Sequence, residues 1–267
     1  MIRGSQLSDT IGSPIVNTFQ FRYYFIVLML FVSTWLISNI SAIKLVSVFG
    51  IPLTGGFIVF PFTVILGSIL VEVYGYKYAR QAIWSGFILN TSFIFFINLV
   101  NIIPSSPHWN LDQQFKNILV PETRIITASL FSFLLSDFSN SYLMAKMKIR
   151  DKGKSLLKRI IISSFLSLTI DIFCFILLAF YDTMPTSLLK KLLIAAFFKK
   201  LICQILLFPL IIYLIEILKK FEGIDVYDFD TKFNPFSIEA IYTTASLKNT
   251  EQLGEIISFS QKIKKEK

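Results

Sequence analysis

The segment "KMKIRDKGKSLLKRIIISSFLSLTIDIFCFILLAFY", Lys146–Tyr181, decides the fold class of this chain. Its first part, Lys146–Arg159, holds seven Lys/Arg against one Asp. Its second part, Ile160–Tyr181, is apolar apart from a few hydroxyls and one carboxyl near its middle, Asp171. A hydrocarbon core of about 30 Å is crossed by a helix of roughly 20 apolar residues. A basic run abutting such a stretch marks a membrane-spanning helix anchored at the cytoplasmic face.

Working outward, five more stretches of this kind appear, at Tyr23–Ile43, Ile51–Val71, Ala82–Ile103, Ile125–Ala145 and Leu192–Leu218. The last is long enough to tilt or to pass beyond the membrane surface. Of the 267 residues, 54% are hydrophobic and only 16% charged, and the mean hydropathy is +0.65. Soluble domains carry about 25% charged residues, so the sequence predicts an all-α membrane protein, a bundle of about six transmembrane helices. The first block runs past the length of a signal-peptide core and is closed by no small-residue cleavage site, so it reads as a retained span. The turn "FGIPLTGG", Phe49–Gly56, is expected to join the first two helices tightly, and Pro61 and Pro209 fall inside spans, where a proline can kink a helix.

Loop charges set the orientation. Lys146–Arg159, then Lys77 with Arg80, then Lys219 with Lys220, and the N-terminal Arg3 and Arg22 share one side of a six-span bundle. Lys44, Lys116, Arg124, Lys190 and Lys191 are spread over the other. Both termini are therefore expected in the cytoplasm. The expected division is a cytoplasmic N-terminal segment over 1–22, a six-helix transmembrane domain over 23–218 and a cytoplasmic tail over 219–267, the tail reading as a short extension or partly disordered. The net charge of +9 does not point to nucleic acid, because the basic residues lie between apolar blocks and not on the face of a polar domain. Cys174 and Cys203 sit in apolar blocks without metal-ligand spacing and read as packing residues, and His108, in the longest external connection (Pro104–Arg124), reads as solvated.

Charges inside spans need a reason, since each costs at least about 2.5–3.5 kcal/mol at the bilayer centre. Asp137 lies mid-way along the fourth span, Asp171 mid-way along the fifth, Lys199 and Lys200 enter the sixth, and Glu72 closes the second. Asn39, Asn90, Asn98, Asn140 and Gln204 add amides. Asp171 can pair with Lys200 in the bundle, and only one of the two adjacent lysines can face inward well. Glu72, near a membrane surface, can snorkel. Asp137, Asn140 and Ser141 share a helix face, and a carboxylate beside an amide can accept paired N–H donors from the edge of a planar heterocycle. Glue between helices and contact with a substrate or proton both remain open for these groups. The candidate substrate-binding set is Asp137, Asn140, Ser141, Asp171, Lys200, Glu72 and Asn90, with no catalytic or metal-ligating residue and no cofactor.

Four blocks together resemble one family. They are "FPFTVILGSILVEVYGYKYARQAIW" at Phe60–Trp84, "FSNSYLMAKMK" at Phe138–Lys148 followed by a basic loop with "KGK", the span carrying Asp171, and "PLIIYLIEILKKFEGIDVYD" at Pro209–Asp228. In order and spacing, over Ile26–Phe236, they are similar to the queuosine precursor transporters, a group also described as vitamin uptake transporters. The resemblance implies a six-helix bacterial inner-membrane importer of 7-deazaguanine compounds, or of queuine, for tRNA queuosine salvage. The family pattern has a frequent Asp where this chain has Ser68, a Gln near Leu168 and a Glu near Gln204, so substrate preference or coupling can differ here.

The partners expected are a small-molecule deazapurine and membrane lipid, together with a second copy of the chain or an energy-coupling subunit, and no nucleic acid. The alternative within transport is the substrate-binding membrane subunit of an energy-coupling-factor type vitamin or purine transporter. A membrane-embedded enzyme is disfavoured: with His108 alone, neither HExxH nor a Ser–His pair can be assembled, and there is no Walker A pattern.

Overall fold

A computed structural model describes residues 21–48, 51–119, 123–183, 185–229, 231–237, 242 and 247–249. The expected N-terminal segment, but for its last two residues, and the far end of the tail lie outside these described residues. In chain order the elements are α1 (Tyr24–Ser41), β1 (Leu45–Val48), β2 (Ile51–Thr54), α2 (Gly56–Ile102), α3 (Asp112–Leu119), α4 (Thr123–Arg150), α5 (Leu156–Phe180), α6 (Thr186–Glu222), β3 (Ile224–Val226) and β4 (Leu247–Asn249).

Five of these helices are long and apolar enough to cross a membrane, and α2 supplies two crossings. Its 47 residues would extend about 70 Å if straight, more than twice the hydrocarbon thickness. Instead the helix breaks at Gly75, where φ is 80° and ψ 174°. α1 shows that the two arms fold back on each other. Along residues 76–102 it runs in the same direction, with the Tyr24 hydroxyl donating to Tyr78 O (3.1 Å), the Trp35 ring packed on Gly86, and Asn39 Nδ2 donating to Asn90 Oδ1 (2.8 Å). Along residues 56–74 it runs oppositely, with Phe31 against Gly67 and the Ser38 hydroxyl donating to Gly56 O (3.2 Å). The molecule is thus an all-α membrane bundle whose five long helices make six crossings.

Gly75 is required at the apex for two reasons. Its positive φ is unfavourable for any residue with a Cβ, and a Cβ there would collide with the Tyr242 hydroxyl and the Val226 side chain. Pro61 and Pro209 lie inside α2 and α6, and no break is recorded at either. The expected second span starts too early: Ile51–Thr54 pairs antiparallel with Leu45–Val48 as a two-stranded hairpin, and α2 begins only at Gly56. Pro52 lacks the N–H that a helix interior needs, and β-branched neighbours favour the strand. The connection between α2 and α4 holds the short amphipathic α3, with a Lys116–Asp112 pair (2.9 Å) one turn apart.

Side chains sort by solvent. Ile102, Leu206, Phe221 and Phe95 point outward, as lipid allows. The interior holds Phe31, Ile69, Tyr74, Met144, Ile160, Ile211 and Ile215, together with an unusual set of polar groups: Ser68, Glu72, Lys148, Arg159, Ser163 and Gln204. The basic loop is shorter than its sequence suggests. α4 continues to Arg150 and α5 starts at Leu156, and two of its cations, Lys148 and Arg159, are buried inside the bundle instead of marking the surface.

Candidate functional site

The interior polar groups fall into two constellations. The first lies at membrane depth, where α2, α4, α5 and α6 face one another around a cavity of about 50 Å³. Helical spacing builds it. Phe60, Thr63, Val64 and Ser68 share one face of α2, Asp137 and Asn140 are three apart on α4, and Ser164, Ser167, Leu168 and Asp171 share a face of α5. α6 adds Gln204, and Phe133 lines the wall beside Phe60. A bond from the Ser136 hydroxyl to Ser167 O (3.0 Å) ties α4 to α5 at this level.

The charges here are unevenly paired. Lys200 Nζ contacts Asp171 Oδ2 at 2.6 Å and lies 4.8 Å from the Phe60 ring centroid. Among the described residues Asp137 makes no ion pair. Also among the described residues, Thr63 Oγ1, Asn140 Oδ1 and Gln204 Oε1 are buried without a hydrogen-bond partner, although buried polar atoms are nearly always bonded. All three line this cavity. So do Ser68, Leu168 and Gln204, the three positions where the chain departs from the pattern of the family it resembles.

The second constellation sits at the basic end of the bundle, about one to two turns below the first on α2, α4 and α5. Glu72, with no exposure, brings Oε1 within 2.8 Å of Arg159 Nη2, 2.7 Å of Lys219 Nζ and 3.4 Å of Lys148 Nζ. Lys148 also donates to Glu72 O (2.6 Å) and pairs with Asp225 (2.7 Å), as does Lys219 (2.7 Å). Burial alone would raise the Asp225 carboxyl, but Lys148 and Lys219 hold it below the ordinary carboxylate range. Burial, then Asp225, pushes the Tyr227 phenol up to about 12, so it stays a neutral donor beside that carboxylate.

Beyond Gly223 the described tail lies across this end. Asp228 accepts from Tyr76 N (3.0 Å) and from the Tyr242 hydroxyl (2.6 Å), while Tyr242 accepts from Lys77 N (3.0 Å). Arg80 donates to Asn234 O (2.9 Å) and Trp84 Nε1 to Pro235 O (2.8 Å). β3 pairs with β4 and closes the segment on itself. Glu222 accepts from the backbone amides of Arg22 and Tyr23 and from the Tyr74 hydroxyl, at 2.8–2.9 Å.

Of the candidate residues, Asp137, Asn140 and Asp171 meet at the cavity, and Lys200 joins through Asp171. Ser141 is buried on α4 beside them without lining the cavity. Asn90 lies elsewhere, bonded to Asn39 and to Gly86 O. Glu72 does not snorkel: it is the buried centre of the second constellation, because three cations converge on it. Thr63, Ser164 and Ser167 were missed, since single hydroxyls in apolar runs carry no distinguishing spacing. Asp225 and Asp228 were missed because the tail has no periodicity that points inward. His108 is exposed, and both cysteines are free.

A family model described as "Putative vitamin uptake transporter" matches residues 54–214. No curated protein and no solved structure matches the chain. The match runs from the hairpin strand before α2 into the second half of α6, so it takes in all four helices that line the cavity and covers more than half of the sequence. The chain, a multi-pass membrane protein by its apolar helices, therefore belongs to the vitamin uptake transporter family.

Proposed function

We propose that this protein imports a 7-deazaguanine precursor of queuosine across a bacterial inner membrane, with both termini in the cytoplasm. The observation that carries the proposal is the set of unpartnered polar atoms at membrane depth. Asn140 Oδ1 and Gln204 Oε1 are acceptors, Thr63 offers a hydroxyl, and Asp137 stands beside them with no counter-charge among the described residues. A guanine-like ring presents the complement: ring and exocyclic N–H donors along one edge, a carbonyl acceptor, and flat faces for Phe60 and Phe133. A ligand that bonds Thr63 Oγ1, Asn140 Oδ1 and Gln204 Oε1 is favoured, because a buried polar atom costs about 1–3 kcal/mol while unpaired.

The cavity holds about 50 Å³, well below the roughly 300 Å³ of a small-molecule pocket. The conformation described is closed around the polar groups, and the lining helices must part to admit a bicyclic ring. Asp171 and Lys200 then form the wall that fixes its orientation. The test uses cells unable to make queuosine. The chain is expressed, each deazapurine precursor is supplied at low concentration, and queuosine is measured in tRNA. Restoration by one or more precursors is expected. Normal membrane expression with no restoration by any of them would remove the substrate assignment.

A further inference from the structure

We infer that the Glu72–Asp225 cluster, latched by the tail over residues 224–229 and 231–237 and by Tyr242, is the cytoplasmic gate of the carrier. The inference rests on the transport reading above, since only a carrier has to open its cavity to each side in turn.

Position comes first. Cavity residue Ser68 precedes Glu72 by one helical turn, Asn140 precedes Lys148 by about two turns, and Ser164 follows Arg159 by a turn and a half. The cluster therefore closes the space between the cavity and the basic end. Every helix that lines the cavity sends one charge to it: Glu72 from α2, Lys148 from α4, Arg159 from α5 and Lys219 from α6. The helices cannot part toward that side while these contacts hold.

The fifth member is not on a helix. Asp225, on β3, bridges Lys148 and Lys219 at 2.7 Å each, so the tail shares the cations that would otherwise be Glu72's alone. Its anchors reach the α2 apex through Asp228 and Tyr242 and the second arm of α2 through Asn234 and Pro235. Val226, Tyr227 and Tyr242 of the strap are buried and Phe233 packs on the Tyr76 ring (5.0 Å between centroids), so the strap seats as a fitted plug over this end of the bundle. The closed arrangement also leaves bonds unmade. Among the described residues Glu72 Oε2 is buried without a hydrogen-bond partner, and so are Arg159 Nε and Nη1. Opening the cluster to water would give these atoms partners, which offsets part of the cost of separating the charges. Lifting the strap removes Asp225 from both lysines and leaves Glu72 alone against three cations, which frees α4 and α6 to move.

The test locks the strap without touching the charges. The Trp84 and Phe236 rings lie in tilted contact with centroids 5.8 Å apart, so Trp84→Cys with Phe236→Cys, in a Cys174→Ser, Cys203→Ser background, gives a lock that oxidation closes and a reductant opens. Ser68→Cys in the same chain reports access to the cavity. Inside-out membrane vesicles are treated with a membrane-impermeant maleimide. The expected result is labelling of the reporter in the reduced protein and about tenfold slower labelling after oxidation. Equal labelling rates in the two states would overturn the gate. If that pair does not cross-link, Tyr142→Cys with Phe233→Cys, whose native rings lie 5.3 Å apart, provides the same lock with the same two outcomes. No substrate is present, so a deazapurine that fails to be imported sinks the proposed function and leaves the gate standing, and the reverse result does the opposite.

Discussion

Glu72 and Asp137 are both carboxylates within one bundle, Glu72 fully buried and Asp137 partly, and their surroundings are opposite. Glu72 has three cations within 3.4 Å. Asp137 has none among the described residues, and its neighbours include three polar atoms without partners. Desolvation penalises both. The chain supplies the missing charge to Glu72 and, among the described residues, supplies none to Asp137. A buried charge that is answered within the chain holds helices together; under the proposed function, the unanswered one is where the substrate binds.

Substitutions that remove one carboxylate at a time should separate these roles. Glu72→Ala leaves Lys148, Arg159 and Lys219 facing one another with only Asp225 between them, and breaking a buried ion pair in this way costs about 3–5 kcal/mol. The expected result is little folded protein in the membrane and a sharply lowered melting temperature in detergent. A Glu72→Ala variant that melts like the native protein would remove the cluster from its structural role. Asp137→Asn should do the reverse, keeping expression and melting close to native while lowering uptake about tenfold or more, the worth of a hydrogen bond to a charged group.

The Asp171–Lys200 pair is expected to fall between the two, because Asp171 is answered within the chain by one cation at 2.6 Å where Glu72 has three. Asp171→Asn alone should cost about 1 kcal/mol of stability, the order of a polar contact between membrane helices. Adding Lys200→Met should return part of it, a coupling that a double-mutant cycle reads directly. The strap should respond to acid. Asp225 is held below its ordinary value of 3.8, so it stabilises the closed strap fully above that pH, and the contribution is lost as pH falls through the lowered value. Protease nicking of the tail should accordingly stay constant from neutral pH down to the ordinary Asp range and rise only below it. At the small end of the scale, His108→Ala should shift stability by less than about 0.5 kcal/mol and leave uptake unchanged.

Much of the bundle was legible in the sequence because apolar runs and basic flanks obey bilayer physics that acts residue by residue. The six crossings and the Asp171–Lys200 pair come from that level. The hairpin at Leu45–Thr54 did not, since four-residue apolar runs look alike as strand or helix, and proline decided the matter at Pro52. Asp137 and Asn140 were visible as a polar face on one helix. Thr63 and Gln204, which complete the cavity from α2 and α6, could be placed there only once four helices were set side by side. Glu72 shows the limit most clearly: its position at the end of a span suggests snorkelling, and only the tertiary meeting of Lys148, Arg159 and Lys219 makes it a buried centre. The tail carried no signal, because its inward contacts depend on an apex at Gly75 that it must first find.

The most direct test of the account is uptake of radiolabelled aminomethyl-7-deazaguanine by proteoliposomes holding either the native protein or Asp137→Asn at equal density. Saturable uptake by the native protein, reduced about tenfold or more in the variant, is the result predicted. Equal uptake by the two proteins would contradict the claim that the unanswered carboxylate at membrane depth is where the substrate binds.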